Sequence, residues 1–455
     1  MWYIVLYFIL IVFIIILLYR RVWVRSGEEY FVYGRKGGIF EITMSLVALV
    51  FGASSVLGLA GWAYRIGLNA IWWTLSGCIF LLILVFIVKF VYLFKGFSIV
   101  DIIEVNFGDL VRGVASIVLF IAWVGVLSGQ IIAGANITSL LLGDRFLSFI
   151  VFSGLFLVYT LIWGQVGALK SSFLQVFLMV LGLILIFIGI YRYLGGEVRS
   201  VSFGFGFDDN FTFSIWLTVF LSVGFSYLFG PDIYSRIFSS RNYDVARKSL
   251  IFASVIIILI SLLIVLIGIL GREVLKVVDN PDNLIPLLAI KFVPEELKPL
   301  VLIALISIPL SGADVILITS TTILSKNVLP FVFGKKDIFE KIWFIRFLVV
   351  VVILLSTSIA IRGGEIIPML LTSYKVFSST IAPLILVSIL SRIFNYEIKF
   401  SKLREMFILV VLVLSAGIII LVEMKFLPFY VQNYNVYMLL FNSIIFIIVS
   451  FVCVK

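Results

Sequence analysis

The sequence predicts an all-α polytopic membrane protein with about 13 transmembrane helices. Hydrophobic residues make up 63% of its 455 residues and charged residues only 13%. A soluble domain carries about 45–50% apolar and about 25% charged residues. Apolar runs of about 20 residues, the length that crosses a bilayer, recur along the chain. The composition therefore excludes a soluble enzyme, a disordered chain and a secreted disulfide scaffold.

The apolar runs define the predicted helices in chain order. Their approximate bounds are 1–19, 39–63, 68–94, 110–141, 146–164, 171–194, 212–230, 249–271, 298–325, 341–361, 365–391, 406–423 and 435–454. We expect four parts, which are an extra N-terminal helix with its cytoplasmic loop (1–38), two five-helix repeats (39–194 and 212–391) and two C-terminal helices (406–455).

Two of these helices contain small-residue segments that can interrupt a helix. One carries Gly52–Ser55, and its counterpart in the second repeat ends at Gly230–Pro231. Paired interruptions at corresponding places are typical of inverted-repeat transporters with a midplane site. Close packing of small residues is the alternative explanation. We predict a five-plus-five inverted-repeat transporter core with broken first and sixth core helices.

The positive charges predict the orientation in the membrane. With the N-terminus outside, 22 of the 34 Lys and Arg residues fall in cytoplasmic loops and 10 in outside loops. Positive residues concentrate on the cytoplasmic side of membrane proteins. We therefore predict a multi-pass protein of the plasma membrane with its C-terminus in the cytoplasm. The same asymmetry accounts for the net charge of +10 without a nucleic-acid partner.

The chain is poor in the residues that most enzymes and cofactor sites use. It has two cysteines, Cys78 and Cys453, and no histidine. These counts exclude His-ligated metal or haem, and too few cysteines remain for a metal cluster. No nucleophile–base pair, metal triad or phosphate loop stands out, so we expect no enzyme activity and no cofactor.

Five stretches resemble the sodium/solute symporter family, which includes proline, pantothenate, sugar and sialic-acid carriers. The segment before the first core helix, EEYFVYGRKGG, looks like that family's entry to this helix, and the helix itself follows the family pattern. The other three resemble the signature after the sixth core helix, the eighth core helix and the Pro-containing tenth. The five stretches are Glu28–Gly38, Ser45–Leu68, Gly230–Ser249, Ser311–Asn327 and Phe377–Leu390.

The resemblance implies a sodium site between the first and eighth core helices. Main-chain carbonyls map to Ala48, Phe51 and Ser307. The two family hydroxyls map to Ser311 and to a position occupied by Leu310. The site is therefore predicted to lack one oxygen ligand. A Ser311 hydroxyl that bonds back to its own helix is the alternative.

Two lysines depart from expectation. On the fifth core helix, Lys170 precedes Ser172, which stands where the family often has Asp. Lys170 is a coupling candidate if it reaches inward, and otherwise snorkels at the cytoplasmic boundary. Lys375 lies well inside the tenth core helix and is predicted to bind a substrate carboxylate, to pair with Asp314 or to titrate. Asp314 is the second coupling candidate.

Sparse polar residues give further candidates for the cavity wall, each with helix packing as the alternative. They are Gln130, Asn136, Tyr159, Thr160, Ser226, Tyr227, Thr372 and Ser373. Gln130, Ser226, Tyr227, Thr372 and Lys375 form the predicted substrate set. Because Lys375 offers a buried cation, a small carboxylate-bearing solute is the expected substrate.

These observations favour a secondary active transporter that works by alternating access. It is expected to couple the symport of a small organic solute to a cation, and sodium is the expected cation. A proton-coupled carrier or uniporter of the same fold is the alternative, because of Leu310 and Ser172. A solute sensor acting through a partner protein is a third hypothesis. The lipid bilayer is the expected environment, and the sequence leaves the oligomeric state open.

The predicted orientation can be tested with cysteine accessibility. A cysteine placed in the loop between Arg392 and Arg404 should not react with an impermeant thiol reagent added to intact cells, because this loop is predicted to be cytoplasmic. A cysteine in place of Arg199, in a predicted outside loop, is the positive control. Ready labelling of the first site would reverse the orientation.

Overall fold

The computed structural model describes residues 24, 26–92, 94, 96–195, 204–334, 336–363, 366–396, 401–423 and 434–452. This part of the chain is helical and forms no β-strand. Eleven of its stretches are long and apolar enough to cross a bilayer. The predicted class of all-α polytopic membrane protein is therefore confirmed. The predicted span 1–19 lies outside the described residues.

The described helices are numbered in chain order. They are α1 (Gly27–Val32), α2 (Ile39–Val50), α3 (Ala53–Ile66), α4 (Trp72–Tyr92), α5 (Asp101–Leu142), α6 (Arg145–Trp163), α7 (Gln165–Tyr193), α8 (Phe213–Phe229), α9 (Pro231–Ser239), α10 (Tyr243–Val274), α11 (Leu284–Phe292), α12 (Lys298–Ile323), α13 (Leu329–Phe333), α14 (Ile342–Arg362), α15 (Ile366–Ile393), α16 (Lys402–Glu423) and α17 (Tyr434–Ile447).

The first core helix is broken between α2 and α3. Phe51 ends α2 with φ −95° and ψ 47°, and Gly52 has the extended values φ −63° and ψ 168°. Helical hydrogen bonding then resumes, because the N–H of Val56 donates to the Gly52 carbonyl at 3.1 Å. Packing keeps the break narrow, since a Cβ on Gly312 of α12 would lie 2.9 Å from the Gly52 Cα. The predicted break at Gly52 is confirmed.

The sixth core helix is broken between α8 and α9. Gly230 leaves the helix with φ −61° and ψ 130°, and Pro231 begins α9. Proline suits this position because the first residues of a helix need no N–H donor to a preceding carbonyl. The second predicted break is therefore confirmed at Gly230–Pro231.

The half-helices α2 and α9 are joined by main-chain hydrogen bonds. The N–H of Gly37, just before α2, donates to the Ser239 carbonyl at the end of α9 at 2.9 Å. The Arg241 N–H donates back to the Gly37 carbonyl at 3.0 Å. A Cβ on Gly37 would lie 2.9 Å from the Ser239 oxygen, so a side chain here would separate the segments.

Most differences from the predicted bounds arise where helices continue past the apolar run. Helix α5 begins at Asp101, but its backbone is interrupted at Gly108, which has φ 84° and ψ 175°. The long part of α5 therefore starts after Gly108, close to the predicted 110, and a short charged segment precedes it. Helix α7 begins at Gln165 rather than 171. The predicted hydrophilic connection 272–297 contains α11, whose nine residues are too few to span a membrane and left no recognisable run.

The close contact between α10 and α3 gives a stability prediction. A Cβ on Gly268 would lie 2.5 Å from the Ala60 carbonyl oxygen and 2.6 Å from the Ala63 Cβ. Gly268→Ala should therefore destabilise the protein by about 1–3 kcal/mol, because neither neighbour can move aside without shifting a helix.

Gly417→Ala on α16 is the matched control, since nothing lies within 4 Å of its built Cβ. This change should be neutral or stabilise by about 0.5–1 kcal/mol through helix propensity. Thermal unfolding of the detergent-purified variants measures both. Equal melting temperatures for the two variants would contradict the proposed contact.

Candidate functional site

A central cavity lies where the two broken helices meet. It is lined from the first break by Leu49, Val50 and Ser55, and from the second by Ser226, Tyr227, Asp232 and Ile233. Its volume is about 20 Å³, which is room for about one water molecule. A solute can therefore enter only after the surrounding helices move apart. The position matches the midplane site of inverted-repeat transporters.

Three of the predicted substrate residues line this cavity. Gln130 of α5 approaches the first break so closely that a side chain on Gly52 would overlap its amide. Ser226 donates to the Ser222 carbonyl within α8 at 2.8 Å. The Tyr227 ring packs on Gly77, whose built Cβ would lie 2.5 Å from it.

Three further cavity residues were missed from the sequence. Asp232 lies in the first turn of α9, inside the stretch that resembles the family signature after the sixth core helix. Trp123 of α5 and Tyr374 of α15 complete the aromatic wall. In an aromatic-rich membrane protein such residues are not distinguishable from lipid-facing ones by composition. The Gly-Pro step before Asp232 was the signal that could have found the carboxylate, because a broken helix exposes its first turn.

The predicted cation site is partly assembled. The Ser311 hydroxyl oxygen of α12 lies 2.8 Å from the Ile308 carbonyl oxygen of its own helix and 3.1 Å from the Ala48 carbonyl oxygen of α2, and its one proton is shared between these two acceptors. The bond to its own helix, which was the alternative, is therefore present, and the contact with α2 accompanies it. A carbonyl and a hydroxyl this close suit a hard cation, which takes oxygen ligands. Leu310 is buried, and its side chain supplies no oxygen.

Ser307 and Phe51 are less directly connected to this pair. The Ser307 hydroxyl donates to Ala304 at 2.6 Å and approaches the Gln175 carbonyl of α7 at 3.5 Å. Phe51 is fully buried at the end of α2, and its N–H donates to Val47. Their ligand roles stay predictions.

Lys375 lies apart from the central cavity. Its ammonium nitrogen is 2.7 Å from a Glu423 carboxylate oxygen at the end of α16, which also accepts from Tyr434. Thr372 donates to the other Glu423 oxygen at 2.8 Å. The expected partner Asp314 is therefore replaced by Glu423. Asp314 is fully buried in α12, where it accepts from the Val315 N–H at 2.6 Å.

The Lys375–Glu423 pair borders a second cavity of about 290 Å³. Gly61, Arg65 and Asp282 also line it. Of the predicted substrate set, Lys375 thus faces a different cavity from Gln130, Ser226 and Tyr227, while Thr372 contacts Glu423. The structure does not bring the five residues together in one site.

Lys170 also has a partner outside the central cavity. Its ammonium group pairs with Glu41 of α2 and lies 5.6 Å from the centre of the Tyr33 ring. Glu41 also accepts from the Gly38 N–H at 3.0 Å. The pair therefore joins the beginning of α7 to the beginning of α2, and a coupling role for Lys170 stays a prediction.

The other predicted wall residues lie away from the central cavity. Ser373 donates to the Met369 carbonyl at 3.1 Å, and the Thr160 carbonyl accepts from Tyr30 at 2.7 Å. The Asn136 carbonyl accepts from Ser139 at 2.8 Å. None of these residues is among the lining of the central cavity. The side chain of Tyr159 lies outside the described part.

A family model and curated relatives match the chain. The model of the sodium:solute symporter family matches residues 30–398. The sodium/pantothenate symporter of Haemophilus influenzae is 24% identical over 320 residues, which cover 66% of this chain and 66% of that protein. The sodium/pantothenate symporter of Escherichia coli is 24% identical over 268 residues, which cover 54% of this chain and 55% of that protein. The chain thus matches about two thirds or less of these relatives.

Solved structures of two transporters share the fold. A substrate-bound, outward-open Na⁺-coupled sialic acid symporter matches with a TM-score of 0.76 and 14% identity, covering 98% of this chain and 95% of its own. Mhp1, a nucleobase-cation-symport-1 family transporter in a closed conformation, matches with a TM-score of 0.60 and 15% identity, covering 92% and 93%.

The Lys375–Glu423 pair gives a stability prediction. Lys375→Met should destabilise the protein by about 1–3 kcal/mol, because the Glu423 carboxylate, only 17% exposed, loses its cation. The double change Lys375→Met with Glu423→Gln should recover most of this loss, because no unmatched charge remains.

Lys298→Met is the control, because its partner Glu295 is 82% exposed. Loss of such a surface pair should cost at most about 1 kcal/mol. Thermal unfolding of purified protein measures all three variants. If Lys375→Met melts like the parent, the pair does not stabilise the fold and the lysine is available to a solute.

Proposed function

The chain belongs to the sodium:solute symporter family, and from this premise we propose that it carries out sodium-coupled symport of a small organic solute by alternating access. The observation that carries the proposal is the contact of the Ser311 hydroxyl with the Ala48 carbonyl at 3.1 Å. It joins the broken first core helix to the eighth, where a bound cation would hold the two together.

The proposed sodium ligands are the carbonyls of Ala48, Phe51 and Ser307 and the Ser311 hydroxyl. Four protein oxygens leave room for water or solute in the coordination shell. The similar proteins are symporters of pantothenate and of sialic acid, and both of these solutes are carboxylates. They support a carboxylate-bearing solute. Lys375 no longer supports it, because this lysine pairs with Glu423. We place the protein in the plasma membrane with its N-terminus outside.

A proton-coupled carrier of the same fold is the second candidate. The observation that favours it is Leu310, a buried apolar side chain at the position of the second hydroxyl. A sodium site with one ligand fewer binds its ion more weakly, so coupling to another ion becomes competitive.

Sodium binding can be measured directly on purified protein. A ligand that binds only the folded state raises the melting temperature, so titration with NaCl against KCl gives a midpoint sodium concentration. Ser311→Ala should raise this midpoint about tenfold or more, because a hydrogen-bonding group that faces a charge is worth about 1.5–3 kcal/mol. Leu310→Ser should lower it by restoring an oxygen.

Ser307→Ala is the matched control, because it removes a hydroxyl from the same helix but keeps the carbonyl that we assign to the site. Its midpoint should equal that of the parent. If NaCl and KCl stabilise the parent and Leu310→Ser alike, sodium coupling is wrong and proton coupling takes its place.

A further inference from the structure

We propose that the solute bound in the central cavity carries a positively charged nitrogen, which Asp232 and three aromatic side chains hold. This inference rests on the proposed function and narrows its substrate class. The class is that of zwitterions with an ammonium and a carboxylate group, as in amino acids and betaines, rather than acids that lack a cationic nitrogen.

The charge of the cavity wall is the first argument. Asp232 lines the cavity, and no Lys or Arg is among the lining residues of the described chain. None of the ion pairs found among the described residues includes Asp232. The charge of the buried Arg236, one turn further along α9, acts on Asp232. A purely acidic solute would meet a like charge here.

The geometry of the break holds Asp232 in place. Its Oδ1 accepts from the Ile233 N–H at 3.0 Å. A Cβ on Gly230 would lie 2.7 Å from the same oxygen, so glycine leaves the space that the carboxylate occupies. The carboxylate thus stands at the first turn of α9, fixed before any solute arrives, as recognition of a charge requires.

The aromatic residues supply the second argument. Trp123, Tyr227 and Tyr374 come from three different helices and line the same cavity as Asp232. Two of them pack against rings outside the cavity. The ring centres of Trp123 and Phe377 lie 5.0 Å apart in an edge-to-face contact, and those of Tyr374 and Trp73 lie 6.4 Å apart. Aromatic faces attract cations, and a set of them with a carboxylate is the composition that recognises ammonium groups.

The third argument concerns the acidic group of the solute and comes from the indole N–H of Trp123. Trp123 is only 1% exposed, and its indole N–H has no hydrogen-bond partner among the described residues. Since this group can only donate, it requires an acceptor such as a carboxylate or carbonyl oxygen. A zwitterion supplies both the cation for Asp232 and the oxygen for Trp123.

The test uses full-length protein in detergent with NaCl and measures the melting temperature against a panel of solutes. Proline, glycine betaine, the other common amino acids and choline carry a cationic nitrogen, whereas pantothenate and N-acetylneuraminate are acids without one. We expect a cationic solute to raise the melting temperature with sodium present, and the two acids to have no effect. Choline, which lacks the carboxylate, should bind more weakly than glycine betaine.

The variants separate recognition from folding. Asp232→Asn should raise the Kd of the cationic solute at least tenfold. Asp232→Glu should retain part of the binding because it keeps the charge. Asp209→Asn, at an exposed residue of the loop before α8, is the matched control and should bind like the parent. Retained binding in Asp232→Asn would overturn the inference.

The outcome also distinguishes this inference from the proposed function. If sodium stabilises the protein but only the acids bind, or no cationic solute does, the inference is wrong and sodium symport stands. If neither sodium nor any solute of the panel changes the melting temperature, the proposed function itself fails, and the ammonium site with it.

Discussion

A helix that is interrupted inside a bilayer leaves backbone N–H and C=O groups without helical partners, and lipid cannot replace them. The two breaks at Gly52 and Gly230 meet this constraint by facing each other across a shared cavity. The side chains that cover them belong to α5, α12 and α15, which places Gln130, Ser311 and Tyr374 around the freed main chain. The packing that buries the two breaks therefore also forms the polar site.

The sequence predicted the breaks because their cause is local. Glycine and proline act on their own backbone, so Gly52–Ser55 and Gly230–Pro231 indicate where helices stop whatever surrounds them. The approach of Ser311 to Ala48 followed from the family pattern. The partner of Lys375 did not, because Glu423 is 48 residues away at the end of a C-terminal helix. Asp232, Trp123 and Tyr374 depend likewise on how distant helices pack, which periodicity does not record.

The separation of Lys375 from the central cavity changes which solute charge the cavity is expected to bind. The lysine looked like a counter-ion for an acidic solute only as long as it was assumed to face the site. With Glu423, Thr372 and Tyr434 around it, the lysine instead fixes the tenth core helix to the two C-terminal helices. The charge that remains in the cavity wall has the opposite sign.

The main-chain link between Gly37 and Ser239 has a mechanical consequence. Two hydrogen bonds of 2.9 and 3.0 Å join the segment before α2 to the end of α9, with no space for a side chain between them. A displacement of α2 therefore moves α9 with it. The half-helices α2 and α9 thus move as one rigid body about the two breaks. The path from the cavity on that side therefore opens in one movement rather than in two independent steps.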